Sequence, residues 1–213
     1  MTQAPRTSGP GIQAENLTAR LLSWINDDAA DLPLPGAGRT ESRWRSLAAL
    51  GREDTVLGRL AEAHADAVAI LAELGGPVPT AGRIWGVWAA EPPSPVLEAE
   101  FGDDGWALTG VKPWCSGASL CTAALVTARV GDQWQMFAVD LTQHACTPIP
   151  DTWHAVGMAR SDSGTVRFDG ARAVPVGDAL KSRLSATFSV GPDAALPLGL
   201  ALVVAKVAKR PES

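Results

Sequence analysis

The 213-residue chain has no tyrosine, only 4 phenylalanines and only 3 cysteines. Its aromatic content rests instead on 8 tryptophans. Cys115, Cys121 and Cys146 are odd in number and not at metal-ligand spacing, which excludes a disulfide framework and a cysteine metal site. They read as free thiols packed as small hydrophobes, in a reducing, cytoplasmic setting. The N-terminus lacks the basic-then-apolar shape of a signal peptide. Basic residues form no cluster, and a net charge of −5 with a pI near 5.2 excludes a nucleic-acid surface. The longest apolar run, Leu196–Val204, contains Pro197 and Gly199 and falls far short of the roughly 20 residues that span a bilayer. No membrane partner is therefore expected. No glycine-rich fingerprint follows a strand to offer a dinucleotide site.

What is present is patterned, and changes period once. Leu17–Asn26 places Leu17, Leu21, Leu22 and Ile25 on one helical face, and Glu41–Leu50 is a second short helix. Asp54–Leu74 carries the strongest helical pattern, through Val56, Leu57, Leu60, Ala63, Ala67, Ile70, Leu71 and Leu74. Asp54 can cap its start, and Gly75-Gly76-Pro77 stops it. His64, near its middle, reads as a satisfied or surface histidine. From Arg83 the period becomes two. Strands are predicted at Ile84–Ala90, Val96–Phe101, Trp106–Trp114, Ala123–Val130, Gln133–Asp140 and Gly164–Asp169. Gly102–Gly105 and Gly131-Asp132 are hairpin turns, and Cys146–Met158 reads as an irregular connection. Asp193–Lys209 is a last helix, apolar around most of its circumference, and this predicts a homo-oligomer or a helical partner chain.

The organising stretch is Gly105–Ala128, GWALTGVKPWCSGASLCTAALVTA. It alternates, turns at Gly110, alternates again to Trp114, breaks at Ser116-Gly117-Ala118 and resumes as an apolar strand. If the chain stays extended, Trp114 and Ser116 share one face of a sheet. A buried Trp with a turn-capping Ser satisfies the same spacing. Glu91 reads as a strand-end surface carboxylate. Arg160 suits a partner in Asp162 or in solvent. Cys115 and Cys121 have no base nearby to make either a nucleophile.

This stretch resembles the middle β-domain of acyl-CoA dehydrogenases, in which a G-x-K-x-W strand leads into a short turn. GVWAAEPP (Gly86–Pro93) is similar to the family strand that ends in Thr-Glu-Pro, and AVGMARSDSGTVRFDGARAVPVGD (Ala155–Asp178) to its closing G-M-R-x-S segment. The likeness covers roughly residues 41–205. It implies an α+β protein with a small N-terminal helical domain (14–79), an antiparallel β-barrel-like domain (80–178) and one C-terminal helix (190–210), the remnant of a helical bundle. It implies an oxidoreductase using FAD to dehydrogenate an acyl-CoA or other thioester substrate. Trp114 and Ser116 take the positions that support the flavin ring and donate to its N5. Ala90 replaces the threonine of Thr-Glu-Pro, so the backbone amides of Ala89 and Ala90 are the remaining contacts there. The family's Gly-Ser-Asp loop is replaced by Pro93-Ser94-Pro95. No catalytic base carries over, and a partner subunit or a monooxygenase relative is the alternative reading.

Overall fold

The computed structural model describes residues 14–27 and 32–177. Three helices, α1 (Ala14–Ile25), α2 (Thr40–Glu53) and α3 (Thr55–Leu74), precede seven strands. The helix expected at 190–210 lies outside the described residues.

α3 begins and ends as its sequence dictates. Asp54 accepts from the amides of Val56 and Leu57 at 2.8 and 3.2 Å, satisfying two donors that the first turn leaves without partners. Gly75, at φ 74°, closes the helix in the left-handed conformation. His64 is buried, and its Nδ1 accepts from the Trp85 amide at 3.2 Å. Burial pulls its pKa down to about 4, so the imidazole is neutral. Arg43 of α2 meets Asp66 of α3 at 2.9 Å in a buried ion pair.

The strands are β1 (Trp85–Trp88), β2 (Leu97–Gly102), β3 (Gly105–Cys115), β4 (Ala123–Val130), β5 (Gln133–Asp140), β6 (Cys146–Ile149) and β7 (Gly164–Val176). They form one sheet in the order β1-β4-β2-β3-β7-β5, with β5 pairing back to β4. That closes a barrel through β4, β2, β3, β7 and β5. β1 joins β4 in parallel, and β6 joins β7. The antiparallel pairings dominate as expected, while β1–β4 and β2–β4 run parallel. β6 was read as irregular chain, and β7 runs seven residues past the predicted end at Asp169.

β4 is buried on both faces. Ala124, Val126 and Ala128 join a core with Phe137, Val166 and Phe168, and with Leu17 and Leu57 of the helices. Ala123 and Leu125 face Ala67, Ile70 and Leu71 of α3. A strand buried on both sides is an apolar run, which is how this segment reads. Gly110 is not a turn. β3 runs through it at φ 129°, and a Cβ there would lie 2.8 Å from the Val96 carbonyl oxygen.

Candidate functional site

β3 leaves its pleat at Trp114. That residue has φ 58°, a left-handed conformation that bulky side chains seldom adopt and that costs about 1–3 kcal/mol where it occurs. The β3–β7 register shifts between Lys112 and Cys115. The chain is therefore not extended here, and the condition for Trp114 and Ser116 to share a face is not met. The Trp114 residue is 56% exposed, while Ser116 keeps only 8% of its surface open.

The turn after Trp114 is fastened to the segment before β7. Gly117 and Ala118 donate their amides to the carbonyls of Ser161 and Asp162 at 2.8 and 3.0 Å. Asp162 accepts from the amide and hydroxyl of Ser119 at 2.8 and 2.5 Å. Gly117 sits at φ 72°, and a Cβ there would approach Cys121 Sγ to 2.9 Å, so the turn needs glycine on both counts. Trp88, at the end of β1, donates Nε1–H to the Ser116 carbonyl at 3.1 Å. Ala89 and Ala90 follow it directly and are half-buried. The two segments expected to meet a cofactor, 89–90 and 114–116, are thus tied by one indole.

The Ser116 hydroxyl lies 2.9 Å from Ser163 Oγ, which lies 2.9 Å from Ser161 Oγ. Ser161 in turn donates to the Met158 carbonyl at 2.8 Å. Sequence reasoning reached Ser161 only through the likeness to G-M-R-x-S and missed Ser163, whose only signal was the hydroxyl-rich Ser161-Asp162-Ser163. Arg160 finds a partner outside its own loop. It pairs with Asp54 at the start of α3.

Beside the turn is a cavity of about 210 Å³ with Trp88, Ala118, Cys121, Cys146 and Val166 among its walls. Burial pushes the Cys121 thiol up to about 12, that of Cys146 to about 11, and that of Cys115 well above its ordinary value. Protonated thiols of this kind are packing groups rather than nucleophiles. Among the described residues no cluster of three or more His, Cys, Asp or Glu stands ready for a metal.

Glu91 is not a surface carboxylate. It is half-buried, with Oε1 enclosed and unpartnered. Burial raises its pKa, against the pull of Lys112 and Thr127. Lys112 is itself buried and donates to the Thr127 carbonyl and hydroxyl at 2.6 and 2.8 Å.

An exposed indole on a strained bulge thus lies next to a buried polar turn. No family model matches the sequence, and no curated protein matches it. Solved structures do. A glutaryl-CoA dehydrogenase from Mycobacterium smegmatis in complex with FADH2 is 14% identical over 81% of this chain and 58% of that one, with a TM-score of 0.59. Methanesulfinate monooxygenase MsuC from Pseudomonas fluorescens is 16% identical over 91% of this chain and 58% of that one, at 0.53. A steroid ACAD variant is 22% identical over 95% and 57%, at 0.54. The chain spans somewhat more than half the length of these proteins. At such identities the likeness is one of fold, and the fold is that of acyl-CoA dehydrogenases and related flavin enzymes.

Proposed function

We propose that the protein is a flavoprotein of the acyl-CoA dehydrogenase type that binds FAD at the Trp114–Ser116 turn and serves α,β-dehydrogenation of an acyl thioester. The observation that carries this is the exposed Trp114 ring held at φ 58° beside the Ser116 turn. Strain of this kind persists where the surrounding structure over-determines it, as at ligand clamps. In this reading residues 14–79 form the helical domain and 80–178 the flavin-carrying barrel.

The residues fit such a ring. Trp114 would offer a flat apolar surface, and the Ser116 hydroxyl and the Ala89 and Ala90 amides, on segments that Trp88 ties together, would be the polar groups available to its edge. When bound, the flavin would accept the hydride from the thioester's β carbon. Asp162 is committed to Ser119 and Glu91 is drawn toward Lys112, so neither is assigned the role of the base.

One observation favours a second reading. β1 and β2 are joined by residues 89–96 only, which leaves no Gly-Ser-Asp loop to meet a pantetheine arm. A monooxygenase acting on a smaller substrate needs no such loop.

The test is FAD titration followed by fluorescence quenching. Trp114→Ala is expected to weaken binding about tenfold, the upper range of an aromatic pair at about 1.5 kcal/mol. Equal affinity in the two proteins would remove Trp114 from the site. Reduced, FAD-loaded protein that places one atom of O2 in a substrate, the other leaving as water, without dehydrogenating a thioester would select the monooxygenase reading.

A further inference from the structure

We propose that Ser161 and Ser163 fix the Ser116 hydroxyl as a hydrogen-bond acceptor, so that the site favours a reduced flavin, whose N5 carries a proton, over an oxidised one. This rests on the flavin reading above. It goes beyond that reading by assigning a preference between redox states and naming two residues that set it.

The argument is a count of protons. A serine hydroxyl carries one proton and two lone pairs. Three contacts run in series, from Ser116 to Ser163 at 2.9 Å, from Ser163 to Ser161 at 2.9 Å, and from Ser161 to the Met158 carbonyl at 2.8 Å. A carbonyl only accepts, so the Ser161 proton lies on the Met158 contact. The Ser163 proton must then lie between Ser163 and Ser161, and the Ser116 proton between Ser116 and Ser163. One assignment of three protons satisfies three contacts. Hydrogen bonds aligned in series polarise one another, which strengthens this direction over its reverse.

The consequence falls on whatever meets Ser116 from outside. Its proton is turned inward toward Ser163, so the oxygen has only lone pairs to offer to a group that reaches it through the 8% of the residue left open. An N–H at that position finds an acceptor. A bare ring nitrogen finds a lone pair, unless the chain reverses and gives up the Ser161–Met158 bond or leaves one buried contact without a proton. Ser163 and Ser161 are therefore positioning residues that act through Ser116. The Trp88 bond to the Ser116 carbonyl holds the backbone, so the direction of the hydroxyl is left to its contact with Ser163.

The experiment measures the dissociation constants of oxidised FAD and of anaerobically reduced FAD for the full chain and for Ser163→Ala. The ratio of the oxidised to the reduced constant is expected to fall about five- to tenfold in Ser163→Ala, because the Ser116 proton is then free to serve the oxidised ring. A tenfold fall is equivalent to a two-electron midpoint potential about 30 mV more negative. Ser163→Thr keeps the hydroxyl and is expected to keep the ratio. If Ser163→Ala does not fold, Ser161→Ala serves instead. It frees the Ser163 proton to turn toward Ser116 and is expected to lower the ratio in the same way. A purely structural role would weaken both redox states equally, and an unchanged ratio in variants that still bind FAD overturns the inference while leaving the flavin reading intact. No binding of FAD in either redox state by the unaltered chain overturns the flavin reading itself.

Discussion

Arg43 and Lys112 are both buried cations, one between helices and the other against the barrel, and they are neutralised in different ways. Arg43 meets a carboxylate, Asp66, at 2.9 Å. Lys112 meets the neutral oxygens of Thr127, with the Glu91 carboxylate nearby and the Trp134 ring centroid 5.6 Å from Nζ. Arginine keeps its proton at any relevant pH, so its site must supply an anion. Lysine can release its proton, and burial lowers Lys112 to about 8. The helical face is therefore built around a permanent charge. The barrel holds a conditional one, two residues from the bulge that presents Trp114.

The largest effect should come from breaking the permanent pair. Arg43→Met leaves Asp66 buried with neither oxygen paired, since Oδ2 has no partner even in the intact protein. A loss of about 3–5 kcal/mol in urea unfolding is expected near pH 7. Burial already raises the Asp66 pKa against the pull of Arg43. The orphaned carboxyl can therefore take up a proton, and the loss should shrink toward pH 4. A variant as stable as the parent at pH 7 would show that the pair is not the buried contact described.

Lys112→Met should behave in the opposite way. The folded pKa is depressed, so between about 8 and 10.5 the unfolded chain binds more protons, and stability rises with pH across that window. The full rise is on the order of 3 kcal/mol, at about 1.4 per pH unit. Lys112→Met should lack it, while leaving the Thr127 oxygens and Glu91 without their buried donor at every pH. With no tyrosine in the chain, phenols do not titrate there. The raised thiols work in the other sense, and the difference between parent and variant cancels Cys121 and Cys146, on which Lys112 does not act. Parallel pH profiles for the two proteins would count against a buried, protonated Lys112.

Smaller effects sharpen the comparison at the joint between the regions. Asp54 caps α3 and pairs with Arg160 from the barrel side. Asp54→Ala should cost about 1–2 kcal/mol, while Asp54→Asn keeps the cap and should cost less than half of that. Equal losses would assign the whole effect to the ion pair. Trp114→Ala should leave thermal stability within about 0.5 kcal/mol, because its ring is mostly exposed and alanine keeps the Cβ and with it the same left-handed backbone cost. A large loss would make Trp114 a packing residue.

What was legible in the sequence was local. Asp54, the apolar spacing and Gly75 delimit α3 within a residue or two, and the glycine turns set both hairpins. What was not legible depends on partners far away in the chain. β6 is four residues long with Pro148 inside it, so neither length nor propensity marks it, and only its pairing with β7 makes it a strand. The partner of Ser116 is 47 residues on, and that of Asp54 is 106 residues on. No periodicity carries such distances. Trp114 misled for a related reason. Period-two reasoning assumes a continuous pleat, and a bulge set by the opposing strand interrupts it.

His64 has a consequence for how this protein behaves in a crowded solution. A closed barrel has few unpaired strand borders, and borders are where chains add to one another. β1 lies outside the closed ring, and the Trp85 amide on it donates to His64 instead of to another strand. The imidazole thus occupies a place that an invading strand would need. It can do so only while neutral, which burial secures down to about pH 4. Below that the imidazole takes up a proton and no longer accepts from the Trp85 amide. Turbidity that sets in on acidification, and sets in already at neutral pH in His64→Ala, would be the sign of a border left without its guard.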